Sequence, residues 1–230
     1  NEAPTLTVPT GGAVTEDAST SIITGTLSGS DPESDDLSYS VVGSSASSGS
    51  YTVTGTYGSL VLNASTGAYT YTLNNAAAAV QALGVSSSET ESFSVQVTDG
   101  TNIPAAQSLS FTINGANDAP STPVLSSTSV SENVAGDSVG TLSSTDAEGQ
   151  AISYSIANSG DGSSFELDGT TLKLKSSVTA DRETKSSYTV TVDATDGTAT
   201  TSKTFTVSVG DVNEAPTLTV PTGGAVTEDA

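Results

Sequence analysis

Hydrophobic and polar residues alternate in short stretches along the whole chain, and turn residues separate these stretches. In SFSVQVT, Phe93, Val95 and Val97 share one face while polar residues fill the other. A period of two is typical of half-buried β-strands, because successive side chains point to opposite faces. The same alternation predicts strands around Tyr69, Tyr71 and Leu73, around Leu109, Phe111 and Ile113, around Tyr188, Val190 and Val192, and around Phe205, Val207 and Val209.

Turn and helix signals fill the spaces between the strands. Asp168-Gly169, between the alternating runs SFEL and TTLKL, predicts a tight β-hairpin. The one convincing helical stretch is NNAAAAVQALG, in which we expect Asn75 to cap the helix and Gly84 to end it. Many short strands at even spacing with almost no helix favour an all-β fold, and we expect antiparallel β-sandwiches of the Greek-key type.

An exact internal repeat indicates the domain organisation. Residues 1–18 and 213–230 are identical, and we interpret the chain as one full period of a longer array with the start of the next copy. The related motifs NEAP at Asn1, NDAP at Asn117 and NEAP at Asn213 mark the predicted domain starts. We therefore expect domains at 1–116 and 117–212, and the first strand of the next copy at 213–230. The expected partners are neighbouring identical repeats in the same chain.

A strongly negative charge limits the other partners. The chain carries 26 acidic and 5 basic residues and no histidine, which gives a net charge of -21. This charge argues against binding to nucleic acid or to an anionic membrane surface, and it makes cations the natural partners. No apolar run approaches the ~20 residues that a membrane helix needs, so we expect no direct membrane insertion.

The composition also argues against an enzyme. Cysteine and histidine are absent, which excludes a Ser-His-Asp triad, a thiol nucleophile and a disulfide framework. No glycine-rich loop between a strand and a helix indicates nucleotide binding. Paired carboxylates serve glycosidases, but those sites need an aromatic-lined cleft, and aromatic residues are 5% of the chain with no tryptophan.

The two predicted domains share a skeleton of acidic positions. Glu16 and Glu132 stand at the same distance after Pro4 and Pro120. Further matches are Asp31 and Glu33 in SDPE with Asp146 and Glu148 in TDAE, and Asp99 in VTDG with Asp196 in ATDG. Because these carboxylates recur at matching positions in two divergent sequences, we interpret them as a functional set.

Other acidic residues lack such matches. Asp161 and Asp168 lie beside glycines, and we expect them in turns. No motif surrounds Asp36, Glu89 or Glu91, so we expect these three to be solvated surface charges.

Several motifs carry a resemblance to known families. Residues 117–212 resemble a cadherin or bacterial cadherin-like repeat through SENVAG, STDAEGQ, ADRE, VDATDG and DVNEAP. Residues 1–116 resemble the VCBS repeats of giant bacterial surface proteins through VTEDAST, GTLSGSDPE, FSVQVTDG and INGANDAP. Together these resemblances imply tandem Ig-like or cadherin-like sandwiches in a large secreted adhesin with RTX-type export signals. Such a protein would lie outside the cell, retained at the outer membrane on the bacterial surface.

The resemblance also implies calcium ions at the junctions between domains. One predicted set is Glu132, Asp181, Glu183, Asp211, Asn213 and Glu214, and another is Glu16, Asn117, Asp118, Asp146, Glu148 and Asp196. A third set, Asp31, Glu33 and Asp99, would serve whatever domain precedes Asn1. Calcium takes six to eight hard oxygen ligands, which carboxylates, amide oxygens and carbonyls supply.

The two junctions are predicted to differ. Gly115 in INGANDAP stands where Asp211 stands in DVNEAP, and the first domain has no counterpart of the DRE sequence at Asp181. We therefore expect fewer or weaker calcium ions at the junction around Asn117.

Two functions are open at this point. In the first, the chain is a calcium-stiffened extender that projects a ligand-binding tip from the cell for surface attachment or biofilm formation. In the second, it is itself an adhesive module that binds another copy, a glycan or a protein. Few aromatic residues and a surface rich in serine and threonine favour the extender, which we expect to be monomeric with at most weak homophilic contacts.

Overall fold

Strands and turns make up almost all of the chain. A computed structural model describes residues 1–216 and residue 218. Within this range the fold is all-β, as predicted, and it contains two β-sandwiches. The predicted first strand of a further copy at 213–230 falls outside the described residues, apart from 213–216 and 218.

The first sandwich contains ten strands. These are β1 (Thr5–Thr7), β2 (Ala13–Thr15), β3 (Ile22–Thr26), β4 (Ser28–Ser30), β5 (Ser38–Val41), β6 (Ser50–Thr54), β7 (Gly58–Asn63), β8 (Ala68–Leu73), β9 (Ser88–Thr98) and β10 (Gln107–Asn114). One sheet has the order β2-β10-β9-β5 and the other β3-β8-β7-β6, while β1 pairs with β4. The β2–β10 pairing is parallel, and the other pairings in this sandwich are antiparallel.

The predicted alternation explains the core of this sandwich. The inward residues of β8, β9 and β10 are all buried: Tyr69, Tyr71, Leu73, Phe93, Val95, Val97, Leu109, Phe111 and Ile113. The rings of Tyr71 and Phe111 stack with their centroids 4.3 Å apart, which joins the two sheets. Phe93 packs against Phe111 from the neighbouring strand. Burial of this aromatic group is a large part of the hydrophobic stabilisation of the sandwich.

The second sandwich contains eight strands. These are β11 (Val124–Leu125), β12 (Ser129–Ser131), β13 (Ser138–Ser143), β14 (Ser153–Ile156), β15 (Phe165–Asp168), β16 (Thr171–Leu174), β17 (Ser187–Thr195) and β18 (Thr200–Gly210). The sheet orders are β11-β13-β16-β15 and β12-β18-β17-β14. The predicted inward residues of β17 and β18 are buried: Tyr188, Val190, Val192, Phe205, Val207 and Val209.

The predicted hairpin at Asp168-Gly169 is present between β15 and β16. Asp168 pairs with Thr171, so the two turn residues are Gly169 and Thr170, and Asp168 ends the strand. Gly169 has a φ of 60°, in the left-handed region that favours glycine.

Contacts between Cα atoms divide the chain into two compact units that differ from the predicted domains. The first contains Asn1–Thr122, Ser144–Ser153 and Ala194–Thr201, and the second contains Pro123–Ser143, Tyr154–Asp193 and the residues from Ser202 onward. Two segments of the second sandwich, 144–153 and 194–201, which contain loops and the adjoining strand ends, thus group with the first unit. The predicted boundary between 116 and 117 remains a prediction.

The helix is shorter than expected, and its predicted cap is wrong. Helix α1 spans Ala78–Gln81, with Ala77 at the N-cap position and no side-chain cap, and it is followed by Ala82 rather than Gly84. Asn75 instead accepts a hydrogen bond from the backbone N–H of Asp17 at 2.9 Å. The Asn75 side chain therefore contacts a distant segment of the sandwich and does not cap the helix.

Glu91 is buried, so its predicted solvated role is wrong. Its side chain lies on β9 with 7% of the residue exposed. The carboxylate accepts hydrogen bonds from the backbone N–H groups of Thr56 and Tyr57 and, at 2.8 Å, from the Tyr71 hydroxyl. Burial, followed by this bond to Glu91, raises the pKa of Tyr71. Three donors from other strands and turns make the burial of this charge tolerable.

Membrane-spanning helices are missing from the part of the chain that the structure describes, since no helix there is long and apolar enough to cross a bilayer.

Candidate metal sites

Six of the predicted ligands lie within the first compact unit, and we call them the linker cluster: Glu16, Asn117, Asp118, Asp146, Glu148 and Asp196. Glu16 directly follows β2, and Asn117 and Asp118 follow β10. The other members come from the loops after β13 and β17. Residues that are far apart in the sequence thus lie in one cluster because each of them follows the end of a strand.

Hydrogen bonds join most members of the linker cluster. The backbone N–H of Asp118 donates to Glu148 Oε1 at 2.7 Å, and Asn117 Nδ2 donates to Asp196 Oδ2 at 2.9 Å. Gln150 connects Asp146 to Asn117, because its backbone N–H donates to Asp146 Oδ1 at 2.9 Å and its Nε2 donates to Asn117 Oδ1 at 3.1 Å. Sequence reasoning missed Gln150, which carries no charge and belongs to no acidic motif.

Glu16 is the most deeply buried member of the linker cluster, with 2% of the residue exposed. Its carboxylate accepts hydrogen bonds from Gln81 Nε2 at 2.7 Å and from the Ala116 backbone N–H at 3.3 Å. Burial raises the pKa of Glu16 against the opposing Ala116 bond, and the charges of Asp118 and Asp17 raise it further. Gln81 and Asp17 are two further neighbours that the sequence pattern did not identify.

Three carboxylates of the linker cluster each have a buried oxygen without a partner. Asp118 Oδ2, Asp146 Oδ2 and Glu148 Oε2 accept no hydrogen bond from the described residues. Burial raises the pKa of Asp118, and the charges of Glu148, Asp17 and Asp146 add to the effect. Buried polar atoms are normally satisfied, so repelling oxygens of this kind need a compensating group. A cation with oxygen ligands would supply it.

A second group, which we call the C-terminal cluster, comprises Glu132, Asp181, Glu183, Asp211 and Glu214 in the second compact unit. One carboxylate oxygen from each of Glu132, Glu183 and Asp211 lies within 4.8 Å of the other two. Glu132 is 1% exposed and accepts hydrogen bonds from the backbone N–H groups of Val212 at 2.5 Å and Arg182 at 2.8 Å. These two bonds lower the pKa of Glu132, the bond from Val212 more than the bond from Arg182, and they keep the Glu132 carboxylate ionised.

The remaining predicted residues of this set differ in placement. Asp181 accepts hydrogen bonds from the backbone N–H and the hydroxyl of Thr184, both at 2.9 Å. Glu214 Oε1 accepts a hydrogen bond from Asn133 Nδ2 at 2.7 Å. Asn213 is exposed, and its side chain makes no hydrogen bond within the range that the structure describes. The role of Asn213 as a ligand therefore stays a prediction.

The third predicted set, Asp31, Glu33 and Asp99, repeats the bonding of the linker cluster. The backbone N–H of Glu2 donates to Glu33, as that of Asp118 does to Glu148. Asp31 Oδ1 accepts hydrogen bonds from the backbone N–H groups of Glu33 at 2.9 Å and Asp35 at 3.1 Å, while its Oδ2 is buried without a partner among the described residues.

Asp99 is held by its own loop as Asp196 is, since Asp196 Oδ1 accepts hydrogen bonds from the backbone N–H groups of Thr198 at 2.6 Å and Ala199 at 2.7 Å. Asp99 Oδ1 accepts hydrogen bonds from the backbone N–H groups of Asn102 at 2.6 Å and Thr101 at 2.7 Å. The Asn102 bond makes the largest contribution to lowering the pKa of Asp99. Asp35 occupies the position of Gln150, so this third set has one carboxylate that the sequence comparison overlooked.

The structure gives a steric reason for the absence of an aspartate at Gly115. The backbone N–H of Glu16 donates to Asn114 and that of Glu132 to Gly210, so Gly115 and Asp211 hold equivalent positions. A Cβ atom on Gly115 would lie 2.0 Å from the carbonyl oxygen of Leu83. The segment after α1 therefore leaves no room for a carboxylate there.

A pH-dependent prediction follows from the raised pKa of Asp118. A carboxyl whose pKa is higher in the folded than in the unfolded chain destabilises the fold when it is ionised. This destabilisation disappears as the pH falls toward 3.8, the pKa of the group in the unfolded chain. In the presence of a chelator at pH 7, Asp118→Asn is expected to raise the free energy of unfolding by about 1 kcal/mol, the order of magnitude of the repulsion between two neighbouring unit charges in water. The advantage should shrink as the pH is lowered from 7 toward 4.

Urea unfolding at a series of pH values measures this difference. Glu89→Gln is the matched control, because it removes one charge from an exposed position in the same sandwich. An Asp118→Asn variant less stable than the wild type at pH 7 in chelator would contradict the prediction.

Comparisons with known proteins identify two cadherin-type domains in the chain. The bacterial cadherin-like domain family matches residues 1–115, and the cadherin domain family matches residues 126–210. Protocadherin Fat 1 from Homo sapiens is 33% identical over 150 residues, which covers 60% of this chain and 3% of that protein. The chain therefore spans a small fraction of the length of this relative.

Solved cadherin structures are similar over most of the chain. Human protocadherin-24 EC1-2 gives a TM-score of 0.54 at 19% identity and covers 92% of this chain and 100% of that one. Drosophila N-cadherin EC1-4 gives 0.53 at 17% identity, covering 92% of this chain and 50% of that one. At these identities the likeness shows the fold alone, and it confirms the predicted cadherin-like sandwiches.

Proposed function

Because the chain belongs to the bacterial cadherin-like domain family, we propose that it is a calcium-stiffened extender repeat of a large bacterial cell-surface adhesin. Cadherin-type domains are typical of adhesion proteins and are in general not enzymes. The observation that carries the proposal is the set of buried, unpartnered carboxylate oxygens on Asp118, Asp146 and Glu148. Calcium would neutralise their repulsion and satisfy each of them at once.

The chain's own residues determine where calcium would be held. In the linker cluster the ligands would come from Glu16, Asp118, Asp146 and Glu148, with Asn117 and Asp196 already placed by their mutual hydrogen bond. These groups belong to four places in the chain, namely the end of β2, the segment after β10 and the loops after β13 and β17. An ion in the cluster would bind all four together. A segment fixed in this way loses conformational freedom, which is the proposed source of stiffness.

The C-terminal cluster supports a second site. Glu132, Glu183 and Asp211 supply three carboxylates within 4.8 Å of one another. A hydrogen bond from its own backbone N–H lowers the pKa of Glu183, but desolvation and the charges of Glu132 and Glu214 outweigh it and raise the pKa. A calcium ion would reverse this repulsion. The linker cluster has Gly115 at the position that Asp211 occupies in the C-terminal cluster, and it therefore lacks one carboxylate. We propose that the C-terminal cluster binds calcium more tightly than the linker cluster does.

The surface is consistent with an extender. The large exposed apolar side chains include Ile22 on β3, Val61 on β7 and Ile103 after β9, which lie on different strands and loops. Apolar residues scattered singly are normal on a soluble domain, whereas an adhesive module needs a contiguous patch. The VCBS-like motifs of residues 1–116 support a place in an RTX-type adhesin outside the cell, retained at the outer membrane.

The effect of Asp118→Asn should change sign when calcium is added. In chelator the substitution relieves repulsion, but with calcium it removes a charged ligand, and the calcium affinity of the linker cluster is expected to fall about tenfold. Thermal unfolding at increasing calcium concentration measures this, since a ligand that binds the folded state raises its midpoint. Glu89→Gln should follow the wild type throughout. Equal calcium responses in Asp118→Asn and the wild type would contradict a site at the linker cluster.

A further inference from the structure

The eighteen-residue repeat bears on association between molecules. Residues 213–230 have the same sequence as residues 1–18. Any surface that binds the first segment therefore offers the same contacts to the second. The structure shows that such a surface exists, because residues 1–18 form part of the first sandwich.

Residues 1–18 are bound to the edge of that sandwich. Strand β2 lies at the end of the sheet order β2-β10-β9-β5, and β1 pairs with β4. Leu6 and Val14 are buried, with 7% and 4% exposed, and Glu16 donates its backbone N–H to Asn114. Because β2 is the end strand of its sheet, the segment can leave while the pairings among β10, β9 and β5 persist, and only β4 loses its partner.

The connection between β1 and β2 makes the fit specific. A Cβ atom on Gly11 would lie 1.5 Å from the carbonyl oxygen of Ser110, and one on Gly12 would lie 2.9 Å from the Ile23 side chain. A segment with side chains at these positions would clash with the sandwich. The second copy carries glycine at both equivalent positions, 223 and 224.

The second copy has an apolar side chain that is not buried in its present place. Leu218, the equivalent of Leu6, is 87% exposed, whereas Leu6 is 7% exposed. Burying such a side chain in the position of Leu6 would be favourable. We propose that residues 213–230 of one molecule take the place of residues 1–18 in the first sandwich of a second copy of the chain.

Competition between the two segments sets the conditions for this exchange. The resident segment is tethered to its own sandwich, so its effective concentration is on the order of millimolar. At micromolar protein concentration the resident segment wins, and the wild type should be monomeric. Damage to the resident segment should shift the balance toward the identical segment of a second molecule. The contacts of Leu6, Val14, Gly11 and Gly12 involve no metal ion, so the exchange does not depend on the calcium sites.

Three full-chain variants test the exchange. The first, Leu6→Asp with Val14→Asp, damages the resident segment, and the second, Leu218→Asp with Val226→Asp, places the same changes in the copy. The third carries all four substitutions. After refolding at about 50 µM, light scattering coupled to size-exclusion chromatography is expected to show dimers or larger assemblies for the first variant, at least tenfold more abundant than for the third. The second variant should stay a monomer of 22.7 kDa.

The same variants give the results that would overturn the proposal. If the first variant is monomeric and as unstable as the third, the copy does not fit the sandwich. If it is monomeric and as stable as the wild type, the chain's own copy has bound, and a second molecule is not involved. Equal assembly of the first and third variants would mean that an exposed core edge causes association rather than the repeated sequence.

Discussion

Calcium at about 10 mM is expected to raise the free energy of unfolding by about 2.7 kcal/mol for each site whose dissociation constant is about 0.1 mM, because the calcium concentration is then about 100 times the dissociation constant. The physical reason is that the ion binds carboxylates assembled by folding, such as Glu132, Glu183 and Asp211. In the unfolded chain these groups lie in three separate segments. Calorimetric unfolding with calcium and with chelator measures the difference.

Ionic screening must be separated from specific binding. Salt weakens repulsion among the 26 acidic residues and can by itself stabilise the fold. Sodium chloride matched in ionic strength is therefore the control, and magnesium at the same concentration is a second one, because it demands a smaller and more regular octahedral site. If either control stabilises the chain as strongly as calcium does, the effect does not come from the proposed sites.

Phe111→Ala is expected to lower the free energy of unfolding of the first sandwich by about 3 to 5 kcal/mol, the usual range for removing a buried aromatic side chain. Phe111 is 1% exposed, and its ring stacks on Tyr71 from the opposite sheet. The substitution would leave a cavity that the two sheets cannot close without moving the whole aromatic group. Chemical denaturation with a probe in the first sandwich measures the loss.

Val61→Ala is a control for Phe111→Ala. Val61 lies on β7 of the same sandwich and is 38% exposed, so its truncation should change the free energy of unfolding by no more than about 0.5 kcal/mol. Similar losses in the two variants would show that Tyr71 and Phe111 are not the centre of the core.

The strands could be predicted because one physical rule sets both the sequence pattern and the burial. Side chains alternate between faces of a strand, so Phe93, Val95 and Val97 had to share a face. The predictions that failed depended on contacts between distant segments. The Asn75 side chain accepts a hydrogen bond from the Asp17 backbone and does not cap the helix. Glu91 can be buried because Thr56, Tyr57 and Tyr71 all donate hydrogen bonds to its carboxylate.

The candidate sites divide in a similar way. The acidic positions were visible because two divergent domains carry them in the same order, and hydrogen bonds now link Asp118 to Glu148 and Asn117 to Asp196. Gln81 and Gln150 were not visible, since neutral amides have no pattern of their own and reach the linker cluster from separate elements. The reason for Gly115 also needed coordinates, because it depends on the path of the backbone after α1.

The most direct test of the account is an isothermal titration of calcium into the full chain, compared with the variant that combines Asp118→Asn and Glu132→Gln. We predict saturable binding by the wild type with dissociation constants of about 10⁻⁴ to 10⁻³ M, and loss of most of that heat in the variant. No saturable heat in the wild type, or the same isotherm in both proteins, would contradict the claim that these carboxylates bind calcium.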